Sequence, residues 1–234
     1  MTNWKVLLLL YSELRVRLPS PRRRFHHLAT GRDMADAVES FAGFPQLVRE
    51  LTDGNVTIAP VIENAERALR SLTRRGTDEW WPSPDDTRRE LDRRARAGTY
   101  DSIFVFWPQH DFVAQTSVKC QAWGLGMGAS AWSNGATYAA VANAPTSAWR
   151  GEVPGEVWLH EWLHGVCHHF SQRGVVMPER DADGAELHGY ARSPERGWTD
   201  YYRDLMNGNV LENGKRVGIN LAAWSDANGS ARVA

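Results

Sequence analysis

Apolar and polar positions along the chain predict strands that alternate with helices. Short apolar runs between turn residues predict strands over residues 5–17, 56–61, 102–107 and 136–141. The run at 102–107 is apolar throughout, which is typical of a buried central strand. Pro60 lacks a backbone N–H, so its strand is expected at a sheet edge or near the strand's end. The first strand is expected to enter a loop at residues 18–21.

Four helices follow from helical spacing of apolar residues and from capping residues. Helical spacing begins at Asp33 and continues until Asp53 and Gly54 stop it. Ser83, followed by a proline in the first turn, begins a second helix that ends near Ala97. Further helices are predicted over residues 156–171 and 198–206, with a helical turn at 184–190.

This order of elements predicts an α+β fold, with a twisted mixed sheet and a small, mainly helical C-terminal part. No repeat or linker interrupts the pattern, so we expect one domain over residues 1–234, divided into 1–172 and 173–234. The segment 121–135 is rich in Gly, Ser and Trp. It lacks the helix start and the Lys-Ser/Thr pair of a phosphate-binding loop, so we interpret it as tight turns between short strands.

Composition and charge narrow the classes of partner. The chain has 234 residues, and its 27 basic and 28 acidic side chains give a formal net charge of −1. This balance gives no reason to expect nucleic acid or a membrane as a partner. The two cysteines exclude a disulfide-dense secreted scaffold and a four-cysteine metal site, and leave one disulfide open. The 11 tryptophans indicate large apolar packing surfaces or an aromatic-lined cleft.

Two short segments bear on location and on nucleic-acid binding. The apolar run at residues 6–11 is too short for a membrane span or a signal peptide, so a soluble cytoplasmic protein is expected. Leaderless export, or a signal already removed, stays open. The basic cluster at residues 22–27 is isolated, and we interpret it as a solvated loop instead of a nucleic-acid contact.

The segment that carries chemistry is His160-Glu161-Trp162-Leu163-His164, within the predicted helix 156–171. Residues four apart lie on one helix face, so His160 and His164 can converge on one metal ion. Glu161 is rotated by about 100°, which places its carboxylate beside the metal, where it can take a proton from a water molecule. The uncharged residues on both sides suit a buried active-site helix.

These residues and their uncharged flanks resemble the zincin superfamily of zinc metallopeptidases. The resemblance implies a zincin-like fold in which a strand shortly before the motif helix forms the upper rim of the cleft and pairs with extended substrate. The predicted strand at 136–141 would fill that role here. The resemblance holds at superfamily level and does not place the chain in a particular peptidase family.

The third metal ligand is not part of the motif helix. In the metzincin subgroup a Gly and then a His or Asp follow the second histidine at positions that are Cys167 and Phe170 here, which disfavours that subgroup. His168 lies eight residues after His160, about 12 Å along a straight helix, which is too far to close a tetrahedron. We expect His168 beside the ligands or in the cleft wall, and Cys167 as a small buried core residue.

Similarity to the gluzincins, which supply a glutamate from a second helix, implies Glu186 as the third zinc ligand. Asp183, which resembles the ligand of zincins that use an aspartate, is the second candidate, and His188 is the third. The tetrahedral intermediate also needs a hydrogen-bond donor besides the zinc. Tyr190 is favoured for this role, with the alternatives His188, Tyr201 and Tyr202.

The predicted function is that of a zinc-dependent hydrolase, a metallopeptidase that cleaves a peptide or amide bond. Zn²⁺ bound by His160, His164 and Glu186 would polarise the carbonyl, and Glu161 would be the general base. One alternative is a small-molecule tailoring enzyme that uses the same zinc site. Another is a non-catalytic zinc-binding module, which the intact Glu161 disfavours because a structural site needs no base.

Overall fold

A central five-stranded sheet organises the chain. The computed structural model describes residues 1–19, 22–120, 124–143 and 153–230. Its sheet has the strand order β10-β11-β7-β1-β4, in which four strands are parallel and only β10 is antiparallel to its neighbour. These strands are β1 (Thr2–Leu10), β4 (Val56–Asn64), β7 (Ser102–Trp107), β10 (Gly124–Met127) and β11 (Thr137–Ala142).

The remaining strands form two-stranded hairpins around this sheet. They pair β2 with β3, β5 with β6, β8 with β9 and β12 with β13. Their bounds are β2 (Glu13–Pro19), β3 (Arg22–Leu28), β5 (Thr73–Arg75), β6 (Glu79–Trp81), β8 (His110–Asp111), β9 (Thr116–Ser117), β12 (Val210–Glu212) and β13 (Lys215–Val217).

The helices within the described ranges are α1 (Gly31–Leu51), α2 (Pro84–Arg94), α3 (Glu156–Ser171), α4 (Thr199–Met206) and α5 (Leu221–Ser230). At the start of α1, the side chains of Thr30 and Asp33 form a reciprocal capping box with each other's backbone N–H groups. Helix α3 begins after Gly155, which has a left-handed φ of 87°. A side chain at Gly155 would overlap the backbone of α1 at Gly43 and Phe44, so glycine permits the two helices to pack closely.

Side chains from both faces of the sheet are buried. From β1, Trp4, Val6 and Leu8 pack into the core shared with α1, α3 and α4. Leu7 and Leu9 point to the opposite face, towards α2 and the β2–β3 hairpin. Strands β7 and β11 are buried at every position, as expected for strands covered on both faces.

The structure confirms an α+β class with a mixed sheet, and it confirms most of the predicted elements. Helices α1, α2, α3 and α4 and strands β4, β7 and β11 lie where the pattern predicts them, and β4 is an edge strand as Pro60 indicates. Cys167 is buried as expected and forms no disulfide. No helix within the described ranges is long and apolar enough to cross a membrane.

Four predictions need correction. The run 5–17 is two strands, because the chain breaks at residues 11–12 between β1 and β2. The basic cluster at 22–27 is the exposed strand β3, not a loop. The Gly-rich segment contributes β10, although residues 121–123 lie outside the described ranges. The C-terminal part holds the β12–β13 hairpin as well as helices. The helical turn predicted at 184–190 is present, because the His188 N–H donates to the Gly184 carbonyl oxygen four residues earlier.

Most of the tryptophans are packed in the hydrophobic core. Trp158, just before the motif, and Trp162, within it, are both buried in the core with Trp4 and Trp224. Trp80, Trp81 and Trp107 are buried on the opposite face of the sheet. Trp123 and Trp149 lie outside the described residues.

Candidate metal centre

Helix α3 brings two imidazoles together, as its sequence predicts. The Nε2 atoms of His160 and His164 lie 3.2 Å apart, and both side chains are about three-quarters buried. The residues between them, Trp162 and Leu163, point into the core, which fixes the rotation of the helix.

A carboxylate from the following turn completes the group. Asp183 Oδ1 lies 3.4 Å from His160 Nε2, and Asp183 Oδ2 lies 3.7 Å from His164 Nε2. Among the residues that the structure describes, His160, His164 and Asp183 are the one set of three whose ligand atoms all lie within 4.8 Å of one another. The side chain of Asp183 is 65% exposed, so the group is open to solvent on that side.

The spacing of these atoms fits a tetrahedral zinc site. Zinc binds imidazole nitrogen and carboxylate oxygen at about 2.0–2.2 Å, so tetrahedral ligand atoms lie about 3.3–3.5 Å apart. The 3.2 Å separation of the two Nε2 atoms matches this. Asp183 approaches the two nitrogens with different oxygens, at 3.4 and 3.7 Å, so one oxygen of this exposed carboxylate would have to move closer to both nitrogens to act as the ligand. Three protein ligands leave a fourth position for water or substrate, as in catalytic zinc sites.

Hydrogen bonds on the far side of each ring orient the two histidines. His164 Nδ1 lies 2.6 Å from Asp181 Oδ1, and His160 Nδ1 lies 2.9 Å from the buried hydroxyl of Tyr202. A carboxylate only accepts, so Nδ1 of His164 carries the hydrogen and, in the neutral ring, Nε2 keeps its lone pair. Partners of this kind fix the tautomer of metal-binding histidines.

The turn that carries Asp181 and Asp183 is held in an unusual backbone conformation. Arg180 and Asp181 have positive φ angles of 65° and 33°, a region that residues other than glycine rarely adopt. The Tyr201 hydroxyl donates a hydrogen bond to the Asp181 carbonyl oxygen, and the Ala182 N–H donates one to the Asp181 carboxylate. Helix α4, which supplies Tyr201, thus holds this turn against α3.

Burial and neighbouring charges shift the pKa values in the site. Burial, reinforced by the neighbouring His164, lowers the pKa of His160 to about 4. Burial opposes protonation of His164 too, but the hydrogen bond and the charge of Asp181 outweigh it and raise the pKa of His164. Burial raises the pKa of Glu161 to about 8. The pKa values of both histidines and of Glu161 therefore differ from those of solvent-exposed histidines and glutamates.

Strand β10 lies directly on the face of α3 that bears the motif, and its glycines permit this contact. A Cβ at Gly124 would overlap the Glu161 carboxyl group, and one at Gly126 would overlap the Glu161 carbonyl oxygen and His164 Cβ. A Cβ at Gly128 would overlap the His168 ring. The sequence pattern indicated turns at these alternating glycines, but their role is to let a strand approach the motif helix.

We predict that Gly126→Ala is destabilising because the added methyl group meets the helix backbone, which cannot rotate away. Overpacking of this kind costs about 1–3 kcal/mol. Gly31→Ala is the matched control, because no atom lies within 4 Å of the added methyl group. Urea unfolding of both variants measures the difference. Equal stability of the two variants would contradict the close contact between β10 and α3.

The other predicted site residues lie apart from this group. Glu186 is exposed and does not belong to the metal-binding set found among the described residues, which contains Asp183 instead. His188 Nε2 lies 3.2 Å from the Glu179 carbonyl oxygen. The Tyr190 hydroxyl donates to Asp204 Oδ2 at 2.5 Å, so its hydrogen is already used. Asp183 thus becomes the candidate third ligand, and Glu186 and Tyr190 lie outside the group.

Three features of the site were missed from the sequence. Asp181 was not proposed for any role, Tyr202 was only an alternative, and the strand β10 was not recognised as a neighbour of the motif. A signal for Asp181 existed in its spacing of two from Asp183, since alternate residues of a tight turn can both face one neighbour. His168 is exposed next to Gly128, at the end of the same face of α3.

Comparison with known proteins gives no family for this chain. No protein-family model matches it, and a search of curated proteins gave no match. What the site can do therefore follows from its own residues and their geometry.

Proposed function

We propose that this protein is a zincin-like, zinc-dependent hydrolase that cleaves peptide or amide bonds. The observation that carries the proposal is the convergence of His160 Nε2, His164 Nε2 and the Asp183 carboxylate, with Glu161 on the same helix turn. Two imidazoles and a carboxylate are a donor set that suits zinc, and three protein ligands suit a catalytic site.

His160, His164 and Asp183 are the residues that would hold the zinc. A zinc ion bound there would polarise the scissile carbonyl and make a water molecule easier to deprotonate. Asp181 and Tyr202 keep the two imidazoles in position by hydrogen bonds to Nδ1. This arrangement supports the aspartate-ligand branch of the zincins in place of the gluzincin-like branch that Glu186 implied.

Glu161 is the proposed general base. It is 4% exposed and lies between α3 and Gly124, so its carboxyl group is fixed by packing. Burial raises its pKa to about 8, which makes its carboxylate a stronger proton acceptor than a surface glutamate. In the proposed reaction Glu161 takes a proton from the attacking water and later delivers it to the leaving amine.

The edge strand β10 supports an extended polypeptide as substrate. The strand predicted to form the rim, β11, has neighbours on both sides, β7 and β10, and cannot pair with a substrate. Among the strands that the structure describes, β10 pairs with β11 alone, and it lies against Glu161 and His164. Its outer edge presents backbone N–H and C=O groups beside the site, and such edges bind extended peptides by β-augmentation.

A peptide library tests the proposal. The zinc-loaded protein is incubated with mixed peptides of six to twelve residues, and mass spectrometry identifies new termini. Cleavage that a chelator abolishes and zinc restores is the expected result. Cleavage of small acyl amides alone would favour the tailoring-enzyme alternative. Zinc binding without hydrolysis of either class would favour the non-catalytic alternative.

We predict that Asp183→Ala weakens zinc binding far more than Glu186→Ala. Asp183 supplies the third ligand atom, whereas Glu186 is exposed outside the group. Loss of a charged ligand should cost about 10²-fold or more in affinity, since even the hydrogen-bonding partners of ligands are worth 10–100-fold. Competitive titration with a chromophoric chelator measures both variants. The reverse order would return the ligand role to Glu186.

A further inference from the structure

A second candidate site lies in a groove between β3 and the β8–β9 hairpin. The groove has a volume of about 590 Å³, and its walls include Arg23, Arg24, Phe25, Thr116 and Ser117. Sites for small molecules typically have volumes of about 300–1,000 Å³. None of the residues that form the metal centre lines this groove, so the inference does not depend on the proposed function.

The groove carries uncompensated positive charge. Arg23 and Arg24 are exposed, and neither forms an ion pair with a residue that the structure describes. Arg24 lies directly opposite Arg17 in the register of the β2–β3 hairpin, and like charges in that position are destabilising. Of the nearby acids, Glu13 forms ion pairs with Arg15 and His26, and Asp111 interacts electrostatically with His27 and accepts hydrogen bonds from the Val113 and Ala114 N–H groups. An anion bound in the groove would relieve this repulsion.

The edge of β3 supplies further donors. Within the described part of the chain β3 pairs with β2 alone, so its second edge faces the groove. This explains why successive residues of β3 line the groove, although their side chains alternate between faces. Backbone N–H groups at such an edge are available to an anion, together with the planar donors of the two guanidinium groups.

Hydrogen bonds of the His27 side chain connect the two walls of the groove. His27 Nδ1 lies 3.2 Å from the Pro108 carbonyl oxygen, so Nδ1 carries the hydrogen and Nε2 of the neutral ring accepts from the Thr116 hydroxyl at 3.1 Å. This contact links β3 to β9 across the groove.

We propose that this groove binds a small organic phosphate. Arg23 and Arg24 leave β3 on opposite faces and both line the groove, so a ligand at the strand edge meets one guanidinium group from each side. Together they match the double negative charge and the several terminal oxygens of a phosphate better than those of a single carboxylate. Phe25, which is partly buried beside the arginines, offers an aromatic surface for the organic part of the ligand.

Titration calorimetry with phenyl phosphate at low ionic strength tests the proposal on the zinc-loaded protein. We expect one site, with affinity that falls as salt is added. The double variant Arg23→Gln/Arg24→Gln should bind at least about tenfold more weakly, since each charge-assisted contact is worth about 1.5–3 kcal/mol. The control Arg70→Gln/Arg89→Gln removes two exposed arginines outside the groove and should bind as the wild type does.

Two further variants separate binding in the groove from binding at the metal centre and from attraction by charge alone. His160→Ala/His164→Ala should retain phenyl phosphate binding, because the groove and the metal centre share no residue. Arg23→Lys/Arg24→Lys keeps the charge but loses the planar donors, so its affinity should lie between those of the wild type and the glutamine variant.

Three outcomes would overturn the proposal. The first is equal binding by the wild type and the Arg23→Gln/Arg24→Gln variant. The second is arginine-dependent binding of a hexaglutamate peptide without binding of phenyl phosphate, which would indicate an acidic polypeptide. The third is arginine-dependent binding to phosphatidylglycerol vesicles without binding of phenyl phosphate, which would indicate a membrane surface.

Discussion

Purified protein reconstituted with zinc should retain about one zinc per chain, and His160→Ala and His164→Ala should each abolish this. Each substitution removes one of the two nitrogen atoms that lie 3.2 Å apart at the site. A single remaining imidazole with the exposed Asp183 cannot enclose the ion. Elemental analysis after dialysis, together with a chelator competition, measures the loss.

His168→Ala is the matched control for both substitutions. It removes an exposed histidine from the same helix that lies outside the metal-binding set. The variant should therefore keep its zinc. If the wild type does not retain zinc after reconstitution, or if His168→Ala loses it to the same extent as His164→Ala, the assignment of the metal centre fails.

Glu161→Gln should keep zinc but lose activity by about 10²–10⁴-fold on any substrate that the wild type cleaves. Glutamine preserves the size of the buried side chain and removes the proton acceptor. Because Glu161 is not a ligand in this arrangement, zinc content should match that of the wild type. The loss should appear in kcat, since the proton transfer occurs after substrate has bound.

Glu186→Gln serves as the control for a change of glutamate to glutamine on the exposed side of the protein. It should leave turnover unchanged. Turnover of zinc-loaded Glu161→Gln close to that of the wild type would refute the role of Glu161 as base. A loss of zinc from Glu161→Gln would instead make Glu161 a ligand.

The pH dependence of stability gives a second measurement for Glu161. Its pKa in the folded, metal-free protein is raised from an ordinary value of 4.5 to about 8. Stability from the protonated side chain is therefore complete below about pH 4.5 and decreases as the pH rises to about 8. Glu161→Gln lacks this decrease, so its melting temperature relative to the wild type should increase between pH 5 and pH 8.

Local patterns were sufficient to predict the motif helix and the approach of its two histidines. Helix α3 has the predicted bounds, and the convergence of His160 and His164 follows from the geometry of any helix. Strands β7 and β11 were also predictable, because burial on both faces requires a continuous apolar run. The helix and the two strands are determined by residues close together in the sequence.

The remainder of the site depends on contacts between distant segments. Asp183 lies near the histidines because the Tyr201 hydroxyl, on the later helix α4, donates a hydrogen bond to the Asp181 carbonyl oxygen. This bond fixes the turn that carries Asp183. Spacing along the chain favoured Glu186 equally well, and nothing local distinguishes the two carboxylates. The position of β10 likewise depends on its pairing with β11. A glycine-rich run by itself is equally typical of a turn.

A metal ion bound at this site would also affect the stability of the chain. The turn at Asp181 is held by the Tyr201 hydroxyl, and the candidate ligands His164 and Asp183 lie on either side of it. Nineteen positions separate His164 from Asp183. An ion held by both would crosslink the chain across that interval, and a crosslink that closes a loop of about 15 residues restricts the unfolded ensemble by about 3 kcal/mol. Metal availability would then govern how long the turn resists digestion by an added protease, which limited proteolysis with and without a chelator measures.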